Sequence, residues 1–186
     1  MDYIKTLPSE YTLIDKVDMQ ENKKDSFILN GVSFIIAIML YILFTAIGLI
    51  EFLELTHFLI FMLLMVVNII VHELIHAIGF KYKTGVSVQY KFHGFAASAS
   101  VKEGYFSKWH YFRTSLLPFI VLTILYLSLF PLGGIVLTFA ALMLVVHIAS
   151  CTGDYYVALK LLRMPKDCLI KDYGIGMEFY SKQKVE

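Results

Sequence analysis

Four long runs of apolar residues alternate with short polar stretches along the chain. They cover residues 27–50, 58–80, about 112–130 and 135–162. About 20 predominantly apolar residues are enough for an α-helix to cross the hydrocarbon core of a bilayer, so each run is long enough. The pattern therefore predicts an all-α membrane protein with four transmembrane helices.

The polar stretch between the second and third runs has a different period. Apolar and polar residues alternate from Val86 to His93, and the alternation resumes from Ala97 to Val101 after Gly94. Alternation with a period of two around a glycine is typical of a β-hairpin. We therefore expect a short strand segment at about 84–104. The third helix then begins in an aromatic cluster at Trp109, with Pro118 as a predicted kink.

The two ends of the chain are polar. Residues 1–26 lack the apolar core and cleavage site of a signal peptide, and they predict either a short interfacial helix or a mobile tail. Residues 164–186 predict a second tail. We therefore divide the chain into an N-terminal segment (1–26), a four-span membrane domain (27–163) and a C-terminal tail (164–186).

Lysine and arginine predict the orientation. Segment 1–26 contains four of them, segment 81–113 six and the chain from Lys160 onward six more, whereas the turns at 51–57 and 131–134 contain none. Cytoplasmic loops carry the excess of basic residues. The distribution predicts a multi-pass protein of the cell membrane, with both termini and the strand segment in the cytoplasm.

Composition agrees with a membrane protein. Hydrophobic residues make up 58% of the 186 residues and charged residues 17%, compared with about 45–50% and 25% in soluble domains. The net charge of +1 does not favour nucleic acid as a partner. Two cysteines, Cys151 and Cys168, do not form a CxxC metal motif or a disulfide framework.

The second run contains the sequence His72-Glu73-Leu74-Ile75-His76. On a helix, His72 and His76 lie one turn apart on the same face and can bind one metal ion, with Glu73 beside them as general base for a water molecule. Ionisable side chains are costly inside a membrane span and are therefore rarely without a function or a partner there. The cluster predicts half of a catalytic zinc site.

A catalytic zinc usually has three protein ligands, so a third is needed. His72 lies about eight residues, or roughly 12 Å, inside the cytoplasmic end of the second helix. Asp154 lies at a similar depth in the fourth run, about six residues before Lys160. We therefore predict Asp154 as the third ligand, unless it is an interfacial or helix-pairing acid. The other candidates considered are His147, Cys151, His93 and His110.

Two further features bear on the site. Asn68 lies one turn before His72, where it could hydrogen-bond a ligand or a substrate, or join two helices. The strand segment could hold an extended substrate by strand addition, or it could be a structural lid. With zinc as Lewis acid and Glu73 as general acid and base, these parts would hydrolyse a peptide bond.

The order of these elements resembles that of site-2-type intramembrane metalloproteases. In detail the chain is more similar to the zincin peptidases described as domain of unknown function 3267. The resemblance covers about residues 27–180 and rests on His72-Glu73-Leu74-Ile75-His76, Gly153-Asp154, Pro165-Lys166-Asp167, Asp172 and Gly174. It implies that His72, His76 and Asp154 bind zinc and that Glu73 is catalytic. Site-2 proteases carry Asp-Gly at the third ligand, whereas here Gly153 precedes Asp154, and there is no PDZ domain.

Two functional hypotheses follow. The first is an intramembrane zinc metalloendopeptidase that cleaves membrane proteins or membrane-associated peptides near the cytoplasmic face. The alternative is a non-proteolytic scaffold or metal-binding protein that retains the histidine pair. A transporter is disfavoured, because the sequence contains no duplicated half and no pair of broken helices.

Overall fold

A computed structural model describes residues 2–18, 21–82, 84–93, 96–101, 103–174 and 176–182, with backbone only for 91–93 and 96–99. The predictions that concern Lys83, Gly94, Lys102 and residues 183–186, and the side chains of Lys91 and His93, lie outside this description. The protein is mainly helical. Its helices are α1 (Lys23–Ala46), α2 (Leu55–Lys81), α3 (Lys108–Leu129), α4 (Gly134–Ser150) and α5 (Thr152–Arg163).

Among the described residues, three helices are long and apolar enough to cross a membrane: α1, α2 and α3 with the short 3₁₀ turn that follows it. Helices α4 and α5 add a fourth if the pair counts as one bent span. None of the residues of α1 is buried, and its exposed side chains from Val32 to Leu43 are all apolar or aromatic. A helix of this kind needs an apolar environment outside the protein.

The fourth apolar run is not the continuous helix that the sequence predicts. It breaks at Cys151, where α4 and α5 meet at 44°. The hydroxyl of Ser150 donates to the carbonyl of His147 (2.9 Å), and that of Thr152 donates to the carbonyl of Ala149 (2.7 Å). Side-chain hydroxyls that bond back to the preceding turn bend helices, and here Gly153 follows directly.

The expectation of strands between α2 and α3 is confirmed. Strands β3 (Val88–His93) and β4 (Ala96–Val101) form an antiparallel hairpin in which Val88 pairs with Val101 and His93 with Ala96. A further strand, β5 (Tyr105–Ser107), follows the hairpin and leads directly into α3, with the Ser107 side chain capping the helix at His110 N–H.

The description all-α is wrong, because both ends of the chain form strands. The N-terminal segment contains β1 (Tyr3–Ile4) and β2 (Tyr11–Asp18), and the C-terminal segment contains β6 (Leu169–Asp172) and β7 (Gly176–Lys182). Together with β5 they form a five-stranded sheet in the order β1-β5-β6-β7-β2, in which all neighbours are antiparallel. The interfacial helix or mobile tail expected before residue 26 and the tail expected after 164 are therefore corrected.

The sheet packs against the end of α2 and the start of α3. Phe106 of β5 and Phe179 of β7 are fully buried, and the ring of Phe106 lies 5.1 Å from that of Phe80, near the end of α2. Tyr111 in the first turn of α3 lies 5.5 Å from Phe80 and donates to the buried carboxylate of Asp172 (2.8 Å). The sheet thereby fixes the ends of α2 and α3 relative to each other.

Candidate metal centre

The two histidines of the motif lie on one face of α2, as the helical spacing requires. Their Nε2 atoms are 3.1 Å apart, and their side chains are only 12% (His72) and 11% (His76) exposed. His76 is one turn before Phe80, which packs on the sheet. The histidines are therefore held close to the end of α2 where the sheet lies.

Asp154 approaches both histidines from α5. Its Oδ2 atom lies 3.3 Å from His72 Nε2, and its Oδ1 atom lies 3.2 Å from His76 Nε2. The break at Cys151 puts Asp154 in the first turn of α5, where the positive end of the helix dipole favours a carboxylate. The structure thus brings together the three predicted ligands; that they bind a metal stays a prediction.

The separations between these atoms fit a tetrahedral zinc site. Zinc bonds of about 2.0–2.1 Å to nitrogen and oxygen put neighbouring ligand atoms about 3.3–3.4 Å apart in a tetrahedron. The two Nε2 atoms are 3.1 Å apart, and each faces its own oxygen of Asp154, His76 at 3.2 Å from Oδ1 and His72 at 3.3 Å from Oδ2, so each of these contacts lies close to that value. Atoms that all present lone pairs repel one another at this distance unless a cation or protons lie between them. This donor set therefore suits a divalent cation with one open position.

The tautomer of His76 supports the same interpretation. Its Nδ1 lies 3.0 Å from the backbone carbonyl oxygen of Thr114 on α3. Because a carbonyl can only accept, Nδ1 must carry the hydrogen, which leaves Nε2 of the neutral ring free to bind a metal. Histidine ligands in metal sites usually donate their second ring N–H in this way. The sequence prediction did not include the Thr114 carbonyl as a partner of His76. Pro118 was the signal that could have found it, because proline has no N–H to donate to that carbonyl.

Glu73 follows His72 on α2 and is partly buried. It is close enough to His76 for the two side chains to interact electrostatically. This position beside the ligand pair is compatible with the predicted role as general base, which stays a prediction.

Two of the alternative ligands, His147 and Cys151, also lie near His72. His147 and Cys151 are fully buried, and the Cys151 sulfur lies 3.8 Å from His147 Nδ1. With His72 they form a second group whose ligand atoms all lie within 4.8 Å of one another. The group of His72, His76 and Asp154 meets the same limit, and the two groups share His72.

Among the described residues, His110 belongs to neither group of possible ligands. His110 is buried at the start of α3, where its ring stacks on Phe106 at 5.5 Å. The side chain of His93 lies outside the described part of the chain. Asn68 accepts a hydrogen bond from the hydroxyl of Tyr126 on α3 (2.6 Å), which is the interhelical bond considered as its second possible role.

Comparison with known proteins supports the interpretation of the histidine motif as part of a metal site. Residues 65–169, more than half of the 186, match the family described as "putative zincin peptidase", which is domain of unknown function 3267. The matched region includes both histidines, Glu73 and Asp154. No curated protein and no solved structure matches the chain significantly. The chain belongs to the putative zincin peptidase family.

Proposed function

We propose that the protein is an intramembrane zinc metallopeptidase that hydrolyses peptide bonds of membrane or membrane-associated substrates near the cytoplasmic face. The observation that carries the proposal is the convergence of His72, His76 and Asp154: the two Nε2 atoms lie 3.1 Å apart, and each lies 3.2–3.3 Å from an oxygen of Asp154. Membership of a family described as zincin peptidases supports the same class of reaction.

Zinc, when bound, supplies a Lewis acid that acidifies water and polarises a carbonyl. His72, His76 and Asp154 would hold it. The two neutral histidines contribute no charge, and the carboxylate of Asp154 contributes one negative charge. Glu73 would take a proton from the attacking water and return it to the amine that leaves. Three protein ligands would leave a fourth zinc position for water or substrate, as in other catalytic zinc sites.

The setting supports a substrate in or on the membrane. Three to four helices are long and apolar enough to cross it, and the exposed side chains of α1 from Val32 to Leu43 are apolar or aromatic. The sheet joins strands from the N-terminal segment, from the segment before α3 and from the C-terminal segment, so all three lie at the same end of the helices. We assign that end to the cytoplasm because those segments carry the lysines and arginines.

Substitution of Glu73 by Gln tests the proposal. Wild type and Glu73→Gln are expressed in the same host membranes, new protein termini are mapped by mass spectrometry, and zinc is measured in each purified protein. We expect cleavage only with the wild type and equal zinc in both, since glutamine cannot act as a base. Glu51→Gln, in the loop at the far end of α2, is the control and should cleave like the wild type.

Cleavage by Glu73→Gln at the wild-type rate would refute the assigned role of Glu73. Equal zinc in both proteins with no new termini from the wild type would favour the alternative of a non-proteolytic metal-binding protein.

A further inference from the structure

Pro118 leaves one backbone carbonyl of α3 without its helical partner. In an α-helix the carbonyl of residue 114 accepts from the N–H of residue 118, but proline has no N–H. Helix α3 nevertheless continues through this position from Lys108 to Leu129. The carbonyl of Thr114 is therefore available, and the N–H at Nδ1 of His76 donates to it at 3.0 Å.

Gly79 allows α2 to come close enough for this bond to form. It lies less than one turn after His76, and its backbone faces the side chain of Thr114. A Cβ atom at residue 79 would lie 2.8 Å from Thr114 Cγ2 and 3.1 Å from Oγ1, well inside normal van der Waals contact. A larger residue would therefore require the Thr114 side chain, and with it the local approach of the two helices, to shift at the level of the hydrogen bond.

We propose that Gly79 and Pro118 are positioning residues for the metal ligand His76. Pro118 frees the Thr114 carbonyl, and Gly79 brings that carbonyl within reach of the imidazole. The hydrogen bond fixes the ring rotation and the tautomer, so that Nε2 presents its lone pair towards His72 and Asp154. The inference rests on the proposed function, because it assigns His76 Nε2 to zinc.

The proposal predicts weaker zinc binding when either residue is changed to alanine. Pro118→Ala restores an N–H that competes for the Thr114 carbonyl, and Gly79→Ala pushes that carbonyl away from His76. Loss of a partner of this kind lowers metal affinity by about 10–100-fold. Affinity is measured by competition with a chromogenic chelator on detergent-purified protein. The visible absorption bands of the Co²⁺-loaded protein report the ligand geometry independently of activity.

A second substitution separates positioning from general damage to packing. In Gly79→Ala/Thr114→Ala, the atoms that the new methyl would meet on Thr114 are removed, while the backbone carbonyl at 114 remains. We expect this double variant to recover most of the zinc affinity and the wild-type Co²⁺ spectrum. Gly31→Ala is the matched control. Gly31 is also a helical glycine, but a Cβ atom there would meet nothing within 4 Å.

The outcomes are distinct. Loss of affinity in Gly79→Ala and Pro118→Ala, recovery in the double variant and no change in Gly31→Ala would support the proposal. Affinities within twofold of the wild type in both single variants, or a double variant as weak as Gly79→Ala, would overturn it and leave the proposed function intact. A wild type that binds no zinc would overturn both.

Discussion

Replacement of Asp154 by Asn should weaken zinc binding strongly while it leaves the shape of the side chain almost unchanged. The carboxylate contributes oxygens 3.2 and 3.3 Å from the two histidine nitrogens and is the charged member of the ligand group. Structural zinc sites bind with about 10–16 kcal/mol, which is roughly 3–4 kcal/mol for each of four ligands. Loss of one ligand therefore predicts affinity weaker by about 10²–10³-fold.

The assay is competition with a chelator of known affinity on detergent-purified protein, with zinc content by elemental analysis. Asp167→Asn is the control, because Asp167 binds Ser181 and the Lys182 backbone on the C-terminal strand and is outside the site. An Asp154→Asn protein within twofold of the wild type would refute the ligand assignment. If Cys151→Ala then weakened binding instead, the ligands would be His72, His147 and Cys151.

Two further predictions concern the sheet. Tyr111→Phe should lower the free energy of unfolding in detergent by about 1–3 kcal/mol, because the buried carboxylate of Asp172 loses a hydrogen-bond donor, and the loss should be much smaller in an Asp172→Asn background. The backbone N–H of Lys182 donates to Asp167 and lowers the pKa of that carboxyl. The stabilising effect of the Asp167 carboxylate should be complete above about pH 3.9, the pKa of this group in the unfolded chain. The effect should fade as the pH falls through the lower pKa of the folded state. Hydrogen exchange at the Lys182 amide measures this, and protection that does not fall as the pH is lowered from about 6 through the acid range would contradict it.

The helices could be predicted from the sequence because their signal is local. Apolar runs longer than 20 residues predict spans without knowledge of any partner, and α1 and α2 begin and end within about four residues of the predicted limits. The spacing of His72 and His76 is likewise a property of one helix. Matching depths below the same predicted membrane surface then favour Asp154.

The five-stranded sheet could not be predicted in this way, because its pairings join distant segments. Strand β1 is two residues long and pairs with β5 about 100 residues later. Strand β2 alternates apolar and polar residues, but its pairing with β7 shifts between Leu13 and Asp15, which disrupts the period. Such strands are stable only as parts of the sheet, so their local sequence carries little information.

The breaks and bonds that shape the site also depend on partners. Ser150, Thr152 and Gly153 each occur in ordinary helices, and only their combination bends the fourth run at Cys151. Pro118 predicted a kink, whereas its effect at the site is to leave the Thr114 carbonyl free for His76. Residue spacing shows that a carbonyl is freed but not which side chain will use it.

The most direct test of the metal centre is zinc K-edge X-ray absorption of the zinc-loaded protein. With His72, His76 and Asp154 as ligands, the first shell should contain only nitrogen and oxygen at about 2.0–2.1 Å, two of the ligands being imidazoles. A sulfur at about 2.3 Å would identify Cys151 as a ligand and contradict the assignment, as would a protein that takes up no zinc.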